Sequence, residues 1–255
     1  MFPFIELTRG ERTVLFLPGL DGSRSLVQGL ARSLDSRVTL LWANLNGVRD
    51  LTYPRAVQML QESVERHSPS AIMAESFGST VAISWALEHP ESELPLIFSG
   101  PLSWTRRRKC TWWGRAAALT VPWPLQSLFV NIGGWFIVGK RLPLPQRWRL
   151  IRDFGSIPRR AWLDRLTMLL EVDLRPRLAE LRAPLTLIWG EEDRVVWSKL
   201  EAEVFEVAGH REAIRLLPNI AHSVLAEAPE ALAEELMRVL DGNGRTEFPE
   251  PLSQG

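Results

Sequence analysis

Three side chains in this sequence are of the types that together carry out nucleophilic acyl chemistry: Ser76, Asp193 and His222. An alkyl hydroxyl is a weak nucleophile, so it needs a base within hydrogen-bond reach, and that base needs a third group to hold its ring. Ser76 sits in AESFG, Ala74 to Gly78, between a short apolar run (Ser70 to Ala74) and a run with apolar residues at helical spacing (Phe77 to His89). A serine in such a strand-to-helix turn is lifted clear of the sheet, and small neighbours let the chain bend. Gly78 supplies the second small position of a G-x-S-x-G pattern, while Ala74 stands in place of its first glycine. Asp193 closes GEED, after the apolar run Leu185 to Trp189, and His222 lies in NIAHS, between the strand-like AIRLL and a long helical pattern. The acid follows the serine by 117 residues and the histidine follows the acid by 29. The first gap has room for an inserted segment and the second for one helix and one strand.

Each of these residues also has a plainer use. Ser76 could cap the helix that follows it, Asp193 could shape a turn beside the surface charges Glu191 and Glu192, and His222 could pack beneath the last helix. The remaining histidines do not compete for the site. His89 belongs to the last turn of a helix with Pro90 behind it, where a partly positive ring suits the helix dipole, and His67 and His210 end helical patterns in the same way. Asp21 lies in a glycine-rich loop, FLPGLDGS, where it could accept turn hydrogen bonds or meet a substrate; Gly19 and Gly22 would permit the bends. The single cysteine, Cys110, excludes an intrachain disulfide framework and reads as a surface or half-buried thiol. No metal-ligand spacing and no phosphate-binding glycine loop is present, so neither metal nor cofactor is expected. The basic run RRRK, Arg106 to Lys109, comes with no nucleic-acid module, so no nucleic-acid partner is expected.

The elements that must position these residues alternate. Strand candidates are Val14 to Leu17, Val38 to Trp42, Ala71 to Ala74, Leu96 to Phe98, Leu185 to Trp189 and Ile214 to Leu217, with a weaker edge strand at Phe4 to Leu7. Helical patterns cover Ser25 to Leu34, Tyr53 to His67, Phe77 to His89, Trp197 to Ala208 and Pro229 to Leu240. Strands alternating with helices call for a parallel sheet with right-handed crossovers, that is, an α/β fold.

Residues 101–183 break the alternation and read as an insertion, expected to form a helical cap on a core of residues 1–100 and 184–240. The insertion holds seven of the eleven tryptophans: Trp104, Trp112, Trp113, Trp123, Trp135, Trp148 and Trp162. It also hides a charge split. The chain has 30 basic and 30 acidic residues, but the insertion carries 16 Lys+Arg against 5 Asp+Glu. Within it, the 24 residues from Ala116 to Gly139 carry no charge. A membrane span fits that length but is interrupted by Pro122, Pro124, Gln126, Asn131 and Gly133-Gly134. A dry wall over an acyl pocket and an interfacial surface with tryptophans at lipid headgroups fit better and are compatible with each other.

At 255 residues, 45% hydrophobic and 24% charged, the chain has the size and composition of one globular α/β unit with an insertion. The N-terminal MFPFIELTRGERT lacks the basic-then-apolar pattern of a secretory signal, which favours the cytoplasm, with peripheral contact at the inner membrane face compatible with it. Residues 241–255 are rich in glycine, proline and polar side chains and are expected to form a flexible tail.

From about Thr13 to Leu240 the chain resembles the α/β-hydrolase superfamily. The resemblance rests on the order Ser76, Asp193, His222, on AESFG, and on FLPGLDGS after an early strand, which looks like the oxyanion loop. Many relatives have His-Gly in that loop, whereas this chain has Pro18-Gly19. LPGLDG with AESFG is similar to a branch of esterase, lipase and thioesterase-like proteins that includes plastid phytyl ester synthases. The resemblance implies a mostly parallel sheet flanked by helices and a serine acyl-transfer site at the C-terminal edge of the strands. Ser76 would be nucleophile, His222 base and Asp193 its orienting acid, with the N–H groups of Leu20 and Phe77 forming the oxyanion hole. The expected function is hydrolysis of carboxylic esters or thioesters with a hydrophobic acyl group, and the basic insertion suggests an acyl carrier or anionic headgroup at its entrance. Transfer of the acyl group to a lipid alcohol by the same triad, and a non-catalytic binding protein on the same fold, are the alternatives.

Overall fold

A computed structural model describes residues 1–34, 36–122, 125, 134, 137–154 and 157–242. Among the described residues, seven strands form one sheet in the order β1-β3-β2-β4-β5-β6-β7. These are β1 (Phe4–Glu6), β2 (Arg12–Leu17), β3 (Val38–Ala43), β4 (Ala71–Glu75), β5 (Leu96–Ser99), β6 (Leu185–Gly190) and β7 (Ile214–Leu217). Only β1 runs antiparallel, pairing Ile5 with Trp42 at the sheet edge. Every other pair is parallel, with Leu17 opposite Ala74 and Ala74 opposite Phe98 at the centre. All six of the stronger strand expectations are met within two residues at either end, and the edge strand forms one residue shorter than expected.

The central strands are apolar without alternation because both faces of the sheet are covered. In β2, Leu15 and Leu17 enter one core while Val14 and Phe16 enter the other; in β4, Ile72 and Ala74 part from Ala71 and Met73 in the same way. Helices α1 (Arg24–Ser33) and, at the far end of the chain, Pro229–Leu240 pack together over one face. Helices α2 (Tyr53–His67) and α3 (Phe77–Glu88) pack together over the other. Ser23 caps α1 by accepting the Ser25 N–H at 3.1 Å. Pro54 stands in the first turn of α2, where a missing N–H costs nothing, and Ser68 ends that helix in the left-handed conformation. Helix α3 differs from an amphipathic surface helix: Phe77 to Leu87 are buried on all sides except at Ser84.

Three helices of the insertion between β5 and β6 lie within the described residues: α4 (Arg108–Thr120), α5 (Leu144–Phe154) and α6 (Arg159–Glu171). Its two stems meet at the base, where Trp104 bridges to Asp173 and Leu174 N–H donates to Ser103 O at 2.8 Å. Glu201, on α7 (Ser198–Val207), braces that base by accepting the Ser103 N–H and hydroxyl at 2.9 and 2.8 Å. Helix α6 packs on α4 and ties the insertion to the core: Arg160 pairs with Asp50, and Asp164 accepts the Leu51 N–H. Most of the uncharged run 116–139 beyond Pro122, including Trp123 and Trp135, and the expected tail beyond 242 lie outside the described residues. No helix among the described residues is long and apolar enough to cross a membrane.

After β7, a short helix, α8 (Val224–Glu227), precedes α9 (Pro229–Leu240). The end of β6 and the loop before α8 are stitched together: Glu191 N–H donates to Leu217 O and Glu192 N–H to Ile220 O, both at 2.9 Å. Gly190 makes this approach feasible, since a Cβ there would lie 2.1 Å from Ile220 O and 2.3 Å from Ala221 O. Backbone oxygens cannot swing aside as a side chain can. Gly190→Ala is therefore expected to destabilise the fold by about 1–3 kcal/mol, read as a lower denaturant midpoint; an unchanged midpoint would mean that the two loops are not locked together.

Candidate functional site

Ser76 follows β4 directly and opens α3, with φ 46° and ψ −116°. A non-glycine residue is rarely found there, at a cost of about 1–3 kcal/mol. Two contacts hold the turn. Ser76 N–H donates to Ser99 O at 2.9 Å, and Gly78 lets α3 start against β2, where a Cβ would sit 2.4 Å from Leu17 O. Although Ser76 occupies the cap position of α3, its hydroxyl makes no capping bond. It points instead at His222, with Oγ 3.0 Å from Nε2.

His222 reaches this point from the loop between β7 and α8, where Asn219 takes a left-handed conformation. Its Nδ1 is 2.7 Å from Asp193 Oδ2. Asp193 follows β6 and also shapes its own turn, its Oδ1 accepting the Val195 and Val196 N–H groups at 2.8 and 3.1 Å. One carboxylate thus both shapes its own turn and meets the His222 ring. Gly100, at φ 57°, lies against the ring, where a Cβ would approach His222 Cε1 to 3.2 Å. Burial pushes the Asp193 carboxyl up, but the imidazolium charge and its hydrogen bond, with the two N–H donors, outweigh that and leave it below its usual range. Burial pulls His222 down, and the charges of Asp193, Glu75 and Asp21 overcome it, so the ring titrates above its ordinary value of 6.5. An ionised Asp193 fixes the proton on Nδ1 and leaves Nε2 free to accept from the serine hydroxyl.

The two N–H groups expected to face an oxyanion are near this serine in the chain and fold. Phe77 is the first residue of α3, so its N–H has no carbonyl partner inside the helix. Leu20 lies within the turn closed by Gly22 N–H to Gly19 O at 3.0 Å, and Asp21 Oδ2 accepts the Ser23 N–H at 2.9 Å. The other histidines are engaged elsewhere: His89 stacks on Trp85, His67 meets Phe4 edge-on, and His210 contacts Leu178 O. Cys110 is exposed on α4.

Two residues of this region were not singled out in the sequence. Arg165, on α6, is buried; its Nη1 donates to Leu20 O and its Nη2 to Asn46 Oδ1, each at 2.6 Å. Asn46 in turn donates to Gly22 O at 3.1 Å. An arginine of the insertion thereby grips the loop of Leu20 and Gly22. Glu75, buried immediately before Ser76, borders Gly19 and Asp21. Burial and the Asp21 charge push the Glu75 carboxyl up to about 8, whereas Asp21, raised by loss of water but favoured by Arg165, is held lower, at about 6. Both carboxyls are thus held above the ordinary carboxylate range, and Asp21 has the Arg165 cation opposite it. The sequence carries one hint of this: Glu75 is an acid at the end of an otherwise wholly apolar buried strand.

No family model matches the sequence, and no curated protein matches it. Solved structures do match. An esterase from Exiguobacterium antarcticum superposes with a TM-score of 0.77 at 16% identity, over 93% of this chain and 94% of that one. An enol-lactonase from Burkholderia xenovorans LB400 gives 0.78 at 13% identity over 94% and 96%. An alpha/beta hydrolase enzyme from a Medee basin deep-sea metagenome library gives 0.72 at 16% identity over 95% and 92%. The chain has the α/β-hydrolase fold. At these identities the likeness is one of architecture, and the chemistry must be argued from the site.

Two outcomes follow from the buried charges. Arg165→Met, which leaves the buried Asp21 without its counter-charge and frees the loop of Leu20, is expected to destabilise the fold by about 3–5 kcal/mol, read as a lower denaturant midpoint; Arg165→Lys, which keeps the cation, is expected to recover part of it. An unchanged midpoint in Arg165→Met would show that the loop holds itself. The raised carboxyl of Glu75 stabilises the fold fully below its ordinary 4.5, and that contribution is lost as the pH rises through about 8. Glu75→Gln is thus expected to flatten the fall in Tm between about pH 5 and about pH 9. An identical fall in the variant would remove Glu75 from the pH dependence.

Proposed function

We propose that this protein is a serine hydrolase of carboxylic esters or thioesters that works through an acyl-enzyme on Ser76. The observation that carries this reading is the continuous relay of Asp193 Oδ2 to His222 Nδ1 at 2.7 Å and His222 Nε2 to Ser76 Oγ at 3.0 Å. Such a relay is worth building only if the serine must lose its proton. The plainer role for Ser76, a helix cap, is not made. The esterase named among the solved neighbours adds support at the level of the fold.

In the first half-reaction His222 Nε2 takes the Ser76 proton as Oγ attacks the acyl carbon. The carbonyl electron pair moves onto its oxygen, where the N–H groups of Phe77 and Leu20 stabilise the charge. Asp193 holds the imidazolium that results. The intermediate collapses, the bond to the leaving alcohol or thiol breaks, and His222 donates its proton to that group. A water molecule then repeats the sequence against the acyl-serine and releases the acid. No metal or cofactor takes part in these steps. The tryptophan-rich insertion over the core favours an acyl group of hydrophobic character.

A fluorophosphonate probe tests the reading directly. Wild type is expected to be labelled at Ser76, with labelling abolished in Ser76→Ala and strongly reduced in His222→Ala. A folded wild type that resists the probe would contradict an activated serine. Because His222 must be neutral to act as base and its ring is raised, kcat/KM is expected to rise with pH along an acid limb whose midpoint lies above 6.5. Asp193→Asn is expected to lower kcat by about 10⁴ through the wrong tautomer; a limb below the ordinary histidine value, or an Asp193→Asn variant with near-normal kcat, would exclude His222 as that base.

A further inference from the structure

The outer side of the insertion carries a feature that the acyl chemistry does not use. Helix α4 buries one side against α6, with Ala118 enclosed and Arg115 Nε donating to Thr167 Oγ1 at 2.8 Å. Its other side is left in solvent with the opposite of a solvent-facing composition. Trp112 and Trp113 are 52% and 67% exposed, and Leu119, two turns further along the Trp112 face, is 50% exposed. The indoles meet edge to face at 4.9 Å, so they form one apolar ridge.

One turn before the tryptophans stand Arg108 and Lys109, both exposed and in no ion pair among the described residues. Arg108, Lys109, Trp112, Trp113 and Leu170 line an open groove of about 320 Å³ whose only charged lining is cationic. The surrounding sequence sharpens this: from Leu94 to Arg152 there are ten basic residues and no acidic one. A partner for this face must therefore be negative, and it must accept two bulky indoles at its boundary.

We propose that the Trp112–Trp113 face of α4 seats the protein on the surface of an anionic lipid bilayer. The chemistry of the face selects this occupant over a folded acidic protein. The groove lining offers cationic and indole N–H donors beside apolar rings but no side-chain acceptor, which suits a layer of phosphate acceptors over hydrocarbon better than a folded protein surface that presents donors as well as carboxylates. Indoles settle at the headgroup level, where the ring is apolar and the N–H stays wet. Arginine and lysine extend past them to phosphate while their alkyl stems remain in the apolar layer. A helix lying in the interface plane needs this division between its two sides. The inference stands on surface chemistry alone and does not depend on the proposed activity.

The test is flotation of the full chain with vesicles of pure phosphatidylcholine and with vesicles containing about a third phosphatidylglycerol. Variants Trp112→Ser/Trp113→Ser and Arg108→Gln/Lys109→Gln accompany the wild type, each checked for unchanged labelling of Ser76 by a fluorophosphonate and for unchanged Tm. Wild type is expected to float with the anionic vesicles on the order of tenfold more than with the neutral ones, with the difference shrinking at about 0.5 M salt. Both variants are expected to lose most of that flotation. Flotation undiminished in the tryptophan variant, equal binding to neutral vesicles, or no flotation with either lipid would each overturn the proposal. No flotation combined with retention of an acidic acyl carrier protein would move the same face to a protein partner. Loss of Ser76 labelling in wild type would count against the proposed activity and leave the flotation result to be read by itself.

Discussion

The left-handed turn at Ser76 is the constraint on which the rest of the site depends. A strand running into a helix normally keeps its connecting residue in allowed space, yet here a serine is held at φ 46° and ψ −116°. The turn survives because its surroundings determine it from several sides at once. β4 lies between β2 and β5, Ser99 O takes the Ser76 N–H, and the missing side chain of Gly78 brings α3 onto the carbonyls of Leu17 and Pro18. Packing of α3 on all sides leaves the turn no direction in which to relax. The strain, about 1–3 kcal/mol, is small against the burial of two core layers, and its consequence is that the hydroxyl faces His222 rather than the helix end.

Around that turn the protein concentrates ionisable groups that water would otherwise separate. His222, Asp193, Glu75, Asp21 and Arg165 influence one another, and each titrates away from its ordinary value. Arg165 itself is pulled down to about 10 by burial, against the attraction of Asp21 and Asp164. The raised Glu75 carboxyl and the cation opposite Asp21 limit the total charge of the cluster. Because Arg165 arrives from α6, the same contacts that balance charge also join the insertion to the loop of Leu20 and Asp21. Position of the insertion and shape of the loop are then one structural variable.

The core of this arrangement was legible from residues in order. AESFG marked the turn because a small-serine-small run sat between a strand-like and a helix-like pattern, and β4 and α3 form within one residue of the expected bounds. Asp193 and His222 could be placed because each follows an apolar run too short for a helix. Arg165 could not be found this way. It contacts Leu20 across 145 residues, and one buried arginine looks the same in a sequence as its fifteen basic neighbours in the insertion. The helices α4, α5 and α6 were likewise not delimited; α4 and α6 carry only a weak core-facing stripe, whereas α5 has a clear one with Leu150, Ile151 and Phe154 buried. The apolar pocket wall expected from the run 116–139 lies mostly outside the described residues.

The central claim is that the strained serine, activated by His222, carries the acyl group during turnover. It is tested most directly by rapid quench in acid during hydrolysis of a long-chain p-nitrophenyl ester, followed by mass analysis of the peptide that contains Ser76. The account predicts that this peptide gains the mass of the acyl group, that the adduct disappears as substrate is exhausted, and that Ser76→Ala neither acquires it nor releases nitrophenol. Steady hydrolysis with no acyl group on Ser76, or hydrolysis retained in Ser76→Ala, would contradict it.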